Sequence, residues 1–255
     1  MTKQKITLLK LTLGLGTILG MLNVTLFNVA LPTMATVFDT TIATVQWLTS
    51  GYMLAAGMII LAAGFLGNHF GYKRIFCLSL ICVLLLSILG AFAWCIEALI
   101  VVRFLFGLCA GLLPPLSLAM LYQLLPASRQ TEAASTWGMA NMIGGVLPSC
   151  LSGFILSVAS WKFLLLFNVP FALLTLCLTI YFLPNDPPKD SAKLDCSGMF
   201  LTSAGSLILL ITFSNLSKWG ISLKLLTGLL LGFGCFILYC IKSRNRSDVL
   251  LNLNV

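Results

Sequence analysis

Eight stretches of near-continuous apolar residues, each about long enough to cross a bilayer, decide which solvent this chain folds in: 11–31, 46–66, 75–94, 98–122, 132–157, 162–183, 199–216 and 223–241. A hydrocarbon core of roughly 30 Å takes about 20 apolar residues per helix. The runs use up most of the 255 residues, leaving no room for a soluble domain. Charged residues make up 9% of the chain, against about 25% in a soluble domain. A water-soluble fold is excluded.

The runs are unbroken Leu, Ile, Val, Phe and Ala, whereas strands of a membrane barrel alternate apolar and polar residues over about ten positions. The expectation is an all-α polytopic membrane protein of about eight transmembrane helices. The first run follows Lys3, Lys5 and Lys10. It is too long for the apolar core of a signal peptide and no convincing small-residue cleavage site follows, so it reads as a retained helix.

Charge sets an orientation. Lys3, Lys5, Lys10, Lys73, Arg74, Arg129, Lys189, Lys193, Lys242, Arg244 and Arg246 fall on one side, against Lys162, Lys218 and Lys224 on the other. The positive-inside rule then puts both termini in the cytoplasm. The same bias accounts for the net charge of +8, so no nucleic-acid partner is called for; membrane lipid is the expected neighbour. The nine cysteines form no C-x-x-C pair and mostly lie within apolar runs, as small buried hydrophobes do. The single histidine, His69, lies in a loop without Cys or acidic neighbours. Neither a metal site nor a cofactor is expected.

The longest connection, 184–198, carries three prolines and five charged residues and reads as a cytoplasmic linker. It divides the chain into a six-helix N-terminal bundle (1–183) and two additional helices (199–241), followed by a tail at 242–255.

Only Arg103 places a charge inside a span, where charges are costly and tend to be functional. Packing against carbonyls, or snorkelling outward, is the plainer role for it. The seven acids, Asp39, Glu97, Glu132, Asp186, Asp190, Asp195 and Asp248, fall in loops or at span ends. Phe27, Trp47, Tyr52, Trp94, Tyr122 and Trp137 suit an apolar cavity, though such residues are more often lipid-facing, interfacial or core. With neither His nor acid in the span interiors, an intramembrane enzyme is not expected.

Several segments resemble one family. Gly64, Leu66, Gly71 and Lys73 match the G-x-L-a-D-R-x-G-R-K signature of the major facilitator superfamily, with Asn68 at its Asp position and Arg74 following. Leu22, Thr25, Asn28, Val29, Ala30, Leu31 and Pro32 match the first-helix pattern L-D-x-T-I-V-N-V-A-L-P of the 14-helix drug:proton antiporter branch, with Asn23 at its Asp. Arg103 to Gly107 is similar to R-x-x-Q-G, with Phe106 for Gln. Gly144, Gly145, Pro148, Ser152 and Gly153 resemble a loose fifth-helix antiporter motif. Ser160-Trp-Lys-Phe, Asn168-Val-Pro170, Leu194-Asp195, Gly198 and Trp219-Gly220 also resemble that branch.

The resemblance implies a transporter of drugs or small metabolites working by alternating access, proton-linked, in the inner (plasma) membrane. It implies two six-helix bundles, of which this chain supplies the first together with the two inserted helices; the second bundle is absent. Arg103, Asn23 and Asn28 are the implied substrate or coupling residues. Gly64, Asn68, Gly71, Lys73 and Arg74 would shape the cytoplasmic gate. Asn cannot titrate as Asp does, so Asn23 and Asn68 cannot relay protons. The rival expectations are a transport-inactive truncated product, a non-transporting membrane scaffold, and an assembly in which a second copy or a separate C-terminal half completes the cavity.

Overall fold

In hydrocarbon every backbone N–H and C=O must be satisfied within the chain, and uninterrupted helices do this without partners. The computed structural model describes residues 3–185, 196–215 and 222–243, and among them the apolar runs are helical and no strand forms. The order is α1 (Lys3–Thr25), α2 (Leu31–Val37), α3 (Ile42–Val45), α4 (Trp47–Phe70), α5 (Tyr72–Ala91), α6 (Ile96–Ala110), α7 (Leu113–Leu124), α8 (Gln130–Val158), α9 (Lys162–Leu166), α10 (Asn168–Phe182), α11 (Cys196–Ser214) and α12 (Leu223–Ser243).

Six stretches of the described residues are long and apolar enough to span a membrane alone: Lys5–Thr25, Tyr72–Ala91, Ile96–Leu124, Ala127–Val158, Lys162–Phe182 and Leu223–Lys242. The bent pair Ile42–Ile60 and Ala62–Phe70 makes a seventh. The remaining apolar run, 199–216, yields the shorter helix Ala204–Phe213 inside α11, next to residues outside the described set. The linker segment 186–195, the pair Trp219-Gly220 and the tail from 244 also lie outside it.

Helix α1 is the hub, packing against α8, α7 and α10, while α6 packs on α4 and α5. Helices α11 and α12 pair with one another, and α11 leans on α4. Buried positions recur every three or four residues. On α5 they are Tyr72, Ile75, Phe76, Ser79, Leu80, Val83 and Ser87, a helical stripe toward the protein with Leu78, Ile81, Leu85 and Leu89 facing out. Buried residues form two apolar clusters, one including Leu13, Tyr52, Phe76 and Phe106, the other Phe27, Leu48, Leu99 and Leu165.

Three local features depart from the sequence expectations. Residues 64–70 are not a loop: α4 runs through Asn68 and His69 to Phe70, and Gly71 alone turns the chain into α5. Gly71 has φ 93°, a conformation open to glycine and strained for residues with a Cβ. The fourth span breaks between α6 and α7, where Pro114 and Pro115 lack the N–H groups that would continue the ladder. None of the cysteines with a described side chain is fully buried: Cys77, Cys82, Cys95, Cys109 and Cys235 are half-buried, and Cys150, Cys177 and Cys240 exposed. Facing lipid costs a thiol little, so these side chains need no protein cover.

Candidate functional site

Arg103 lies where the two apolar clusters meet, with none of its surface exposed. Its position against α4 follows from the close approach of α6 to that helix. A Cβ on Gly111 would come within 2.7 Å of the Ala56 Cα, and one on Gly107 would strike the Tyr52 carbonyl oxygen. Bare backbone at those positions lets the helices touch and brings Arg103 among the residues of α4.

Backbone oxygen and aromatic rings hold the guanidinium. Nε donates to the Leu48 carbonyl at 3.3 Å and Nη2 to the Asn23 carbonyl at 3.0 Å. Cζ stands 4.0 Å from the Phe27 ring centroid, 4.5 Å from Tyr52 and 5.7 Å from Phe106. The Asn23 carbonyl belongs to the last turn of α1, where backbone acceptors run out of helical donors. Arg103 therefore caps that end, and the partial negative charge of the helix terminus favours a cation there. Its third nitrogen, Nη1, is buried without a hydrogen-bond partner. Each described acid, Asp39, Glu97 and Glu132, is exposed, so within the described residues the cation is compensated by dipoles and ring faces alone.

Beside it sits a neutral amide pair. Asn23 Nδ2 donates to Asn168 Oδ1 at 2.9 Å, and Asn168 Nδ2 returns a bond to Asn23 Oδ1 at 3.1 Å. Spare donor capacity goes to local carbonyls, Asn23 to Leu19 at 2.9 Å and Asn168 to Leu164 and Leu165 at 3.3 and 3.2 Å. Both side chains are fully buried. The Tyr52 hydroxyl completes the group by donating to the Gly20 carbonyl at 2.9 Å. Residues from α1, α4, α6 and α10 thus meet in one polar knot inside an apolar bundle.

Of the residues singled out from sequence, Arg103 and Asn23 come together here and Asn28 does not: it is exposed in the turn after α1. From the sequence, Phe27 and Tyr52 stand only among aromatics whose commoner role is lipid, interface or core, and Phe106 only at the family's Gln position. Asn168 had stood out only as part of a family resemblance, and nothing in a sequence signals which distant amide it faces. Phe106, at the family's Gln position, supplies a ring tilted on Tyr52 with centroids 6.2 Å apart.

The signature segment lies elsewhere. Asn68 accepts from the Tyr72 hydroxyl at 3.2 Å, Gly64 and Arg74 are exposed, and Lys73 closes the C-terminal end of α10. Its ammonium donates to the carbonyls of Ile180 (3.1 Å) and Leu183 (2.6 Å) and to Asn185 Oδ1 at 3.1 Å. Lysine at a helix C-terminus satisfies orphan carbonyls and opposes the helix dipole. Lys73→Ala should fray that end, seen as hydrogen exchange roughly five- to thirtyfold faster over residues 180–183 from the loss of roughly 1–2 kcal/mol; unchanged exchange would remove the capping role.

On α8, Gly144 abuts Ile18 and Met21 of α1, and Thr25 donates to the Gly145 carbonyl at 3.2 Å. Pro148 is buried on the same side, while Gly153 faces outward with open space beside it. Lys10 and Glu132 join the N-terminal halves of α1 and α8 by an ion pair, with Arg129 Nε 4.0 Å from the same carboxylate.

Comparison with known proteins agrees with this architecture. The model of the family described as Major Facilitator Superfamily matches residues 13–241. The chain belongs to that superfamily. Family and fold are those of membrane transporters, which are not enzymes. Among relatives, the multidrug resistance protein B homolog of Mycobacterium tuberculosis is 32% identical over 201 residues, covering 79% of this chain and 37% of that protein. The lincomycin resistance protein LmrB of Bacillus subtilis is 28% identical across 98% of this chain and 53% of its own. The chain spans about half the length or less of these relatives. The solved proton:xylose symporter XylE bound to 6-bromo-6-deoxy-D-glucose shares the fold with a TM-score of 0.65 at 15% identity, over 96% of this chain and 56% of that one. The human organic anion transporter MFSD10 gives 0.59 at 15%, over 96% and 72%.

Proposed function

We propose that this superfamily member contributes the first bundle of a plasma-membrane exporter of drugs or small metabolites, working by alternating access with both termini in the cytoplasm. On this reading residues 1–183 form the bundle, 184–198 the linker, 199–241 the added pair and 242–255 the tail. The observation that carries it is the buried Arg103 knot. A charge fully removed from water in a membrane protein, retained without a carboxylate among the described residues, is costly to keep for packing alone. That relatives are named for multidrug and lincomycin resistance supports export of such compounds.

Arg103 and Asn23 are the polar heart of the site, and Asn28 sits outside the knot. Gly64, Asn68, Gly71, Lys73 and Arg74 belong to the cytoplasmic gate, and Gly144, Gly145, Pro148 and Gly153 to the antiporter-type helix. Proton linkage runs through groups other than Asn23 and Asn68, since amides do not titrate. The partners on this reading are a small-molecule substrate, membrane lipid and a second copy or separate C-terminal half.

The test is efflux of a fluorescent drug from cells expressing the chain, compared with Arg103→Ala at equal membrane abundance. Efflux that falls to background in the variant is the expected result. Efflux untouched by the substitution would overturn the reading, whereas no efflux from the unaltered chain would mean that the first bundle works only with a second half.

A further inference from the structure

We propose that the charge balance of this bundle fixes the class of molecule it accepts: lipophilic anions over lipophilic cations. The inference rests on the transporter reading and adds to it the sign of the substrate's charge.

Among the described residues a monopole remains at the centre of the bundle. Carbonyls of Leu48 and Asn23 and the rings of Phe27, Tyr52 and Phe106 orient toward the Arg103 guanidinium. All are neutral groups, so they lower the cost of burial and leave the net charge at +1. The position where the resemblance leads one to look for an acid is Asn23, and its side chain is committed to Asn168 and Leu19, so that pair is also neutral.

The described acids do not restore balance. Glu97, in the first turn of α6, is exposed, as is Asp39 in the connection between α2 and α3. Glu132 is exposed and already faces Lys10 and Arg129. Charges in water are screened within about 8–10 Å at ordinary ionic strength, whereas a buried one is screened much less. At an effective dielectric of about 20, a unit charge about 10 Å from the guanidinium gains or loses roughly tenfold in affinity according to its sign.

One donor is also uncommitted. Arg103 Nη1 is buried with no hydrogen-bond partner, and a buried charged donor left in that state is costly. A carboxylate, sulfonate or other anionic oxygen arriving when the bundle opens would satisfy it, and a cation would not. Field and hydrogen bonding favour the same sign.

The experiment is equilibrium binding of two near-isosteric probes, tetraphenylborate and tetraphenylphosphonium, to the full chain in nanodiscs of zwitterionic lipid, with empty discs subtracted for partition. Saturable binding of the borate, at least about tenfold tighter than the phosphonium, is expected. Arg103→Gln should abolish the preference and Arg103→Lys keep most of it. Phosphonium binding equal to or tighter than the borate, absence of saturable borate binding, or an unchanged preference in Arg103→Gln each overturns the inference. Should the Gln variant fail to fold, the ratio measured on the unaltered chain decides by itself. Failure of the transporter reading is separable: anion-selective binding together with drug efflux untouched by Arg103→Ala would sink that reading and leave the charge selection standing, and Arg103-dependent efflux of cationic drugs alone would do the reverse.

Discussion

Gly107→Ala should sharply reduce the amount of folded protein, while the same change at Gly153 should be neutral or slightly stabilising. Both glycines sit in helices, where alanine is intrinsically favoured by roughly 1 kcal/mol, so propensity predicts the same sign at both. Surroundings reverse it at one. The new methyl at Gly107 would collide with the Tyr52 carbonyl and come 3.0 Å from the Ala55 Cβ, whereas Gly153 has nothing within 4 Å. Overpacking of a core costs about 1–3 kcal/mol when side chains can move aside, and here the obstacle is backbone.

Pushing α4 away would also loosen Tyr52 from Gly20 and Leu48 from Arg103. The penalty at Gly107 should therefore reach or pass roughly 3 kcal/mol, a large part of the ~5–15 kcal/mol that holds a typical domain together. Monodisperse yield on size-exclusion chromatography and the thermal midpoint in detergent would check it. Equal midpoints for the two variants would mean that α4 and α6 are not in backbone contact.

Which parts of this molecule a reader of the sequence could see follows from which forces are local. Membrane spans are legible because hydrocarbon imposes the same demand on every residue of a run; the break within 98–122, where Pro114-Pro115 removes two donors, is not legible in the same pattern. Helix ends at the membrane surface are less legible. Asn68 and His69 look like loop residues, yet a helix continues in water as easily as it ends, and only the backbone demand at Gly71 stops it. Lys73 shows the next limit. A cation beside a glycine turn reads as a topology signal or a gate residue, but its acceptors lie 107 to 112 residues further along.

The knot is the least legible part. Arg103 stood out as the charge inside a span, but Phe27 and Tyr52 could not be distinguished from lipid-facing aromatics such as Trp94, because a ring over a cation and a ring in lipid satisfy the same apolar pattern. Asn23 attracted notice by standing where a family pattern has an acid. Its function as half of an amide pair depends on Asn168, 145 residues away, a separation across which no periodicity operates.

That pair gives the last large effect. Asn23→Leu and Asn168→Leu should each destabilise the protein, and the double variant should be about as stable as either single one. Each single change strands a fully buried amide oxygen and deletes two side-chain hydrogen bonds between α1 and α10. An unsatisfied buried polar group costs about 1–3 kcal/mol, while interhelical hydrogen bonds within membranes return about 0.6–2 kcal/mol. The second substitution removes the stranded partner and restores apolar contact, so its incremental cost should be near zero and the coupling energy equal to the cost of one single change, about 1–3 kcal/mol. Asn168 keeps its bonds to Leu164 and Leu165 when Asn23 is lost, whereas Asn23 keeps one to Leu19 when Asn168 is lost; the two single variants should therefore differ modestly, with loss of Asn168 the costlier. Thermal midpoints of the four proteins in one detergent supply the cycle. Strict additivity would show that the two amides do not pair in the membrane, and that α1 and α10 are held together by apolar packing alone.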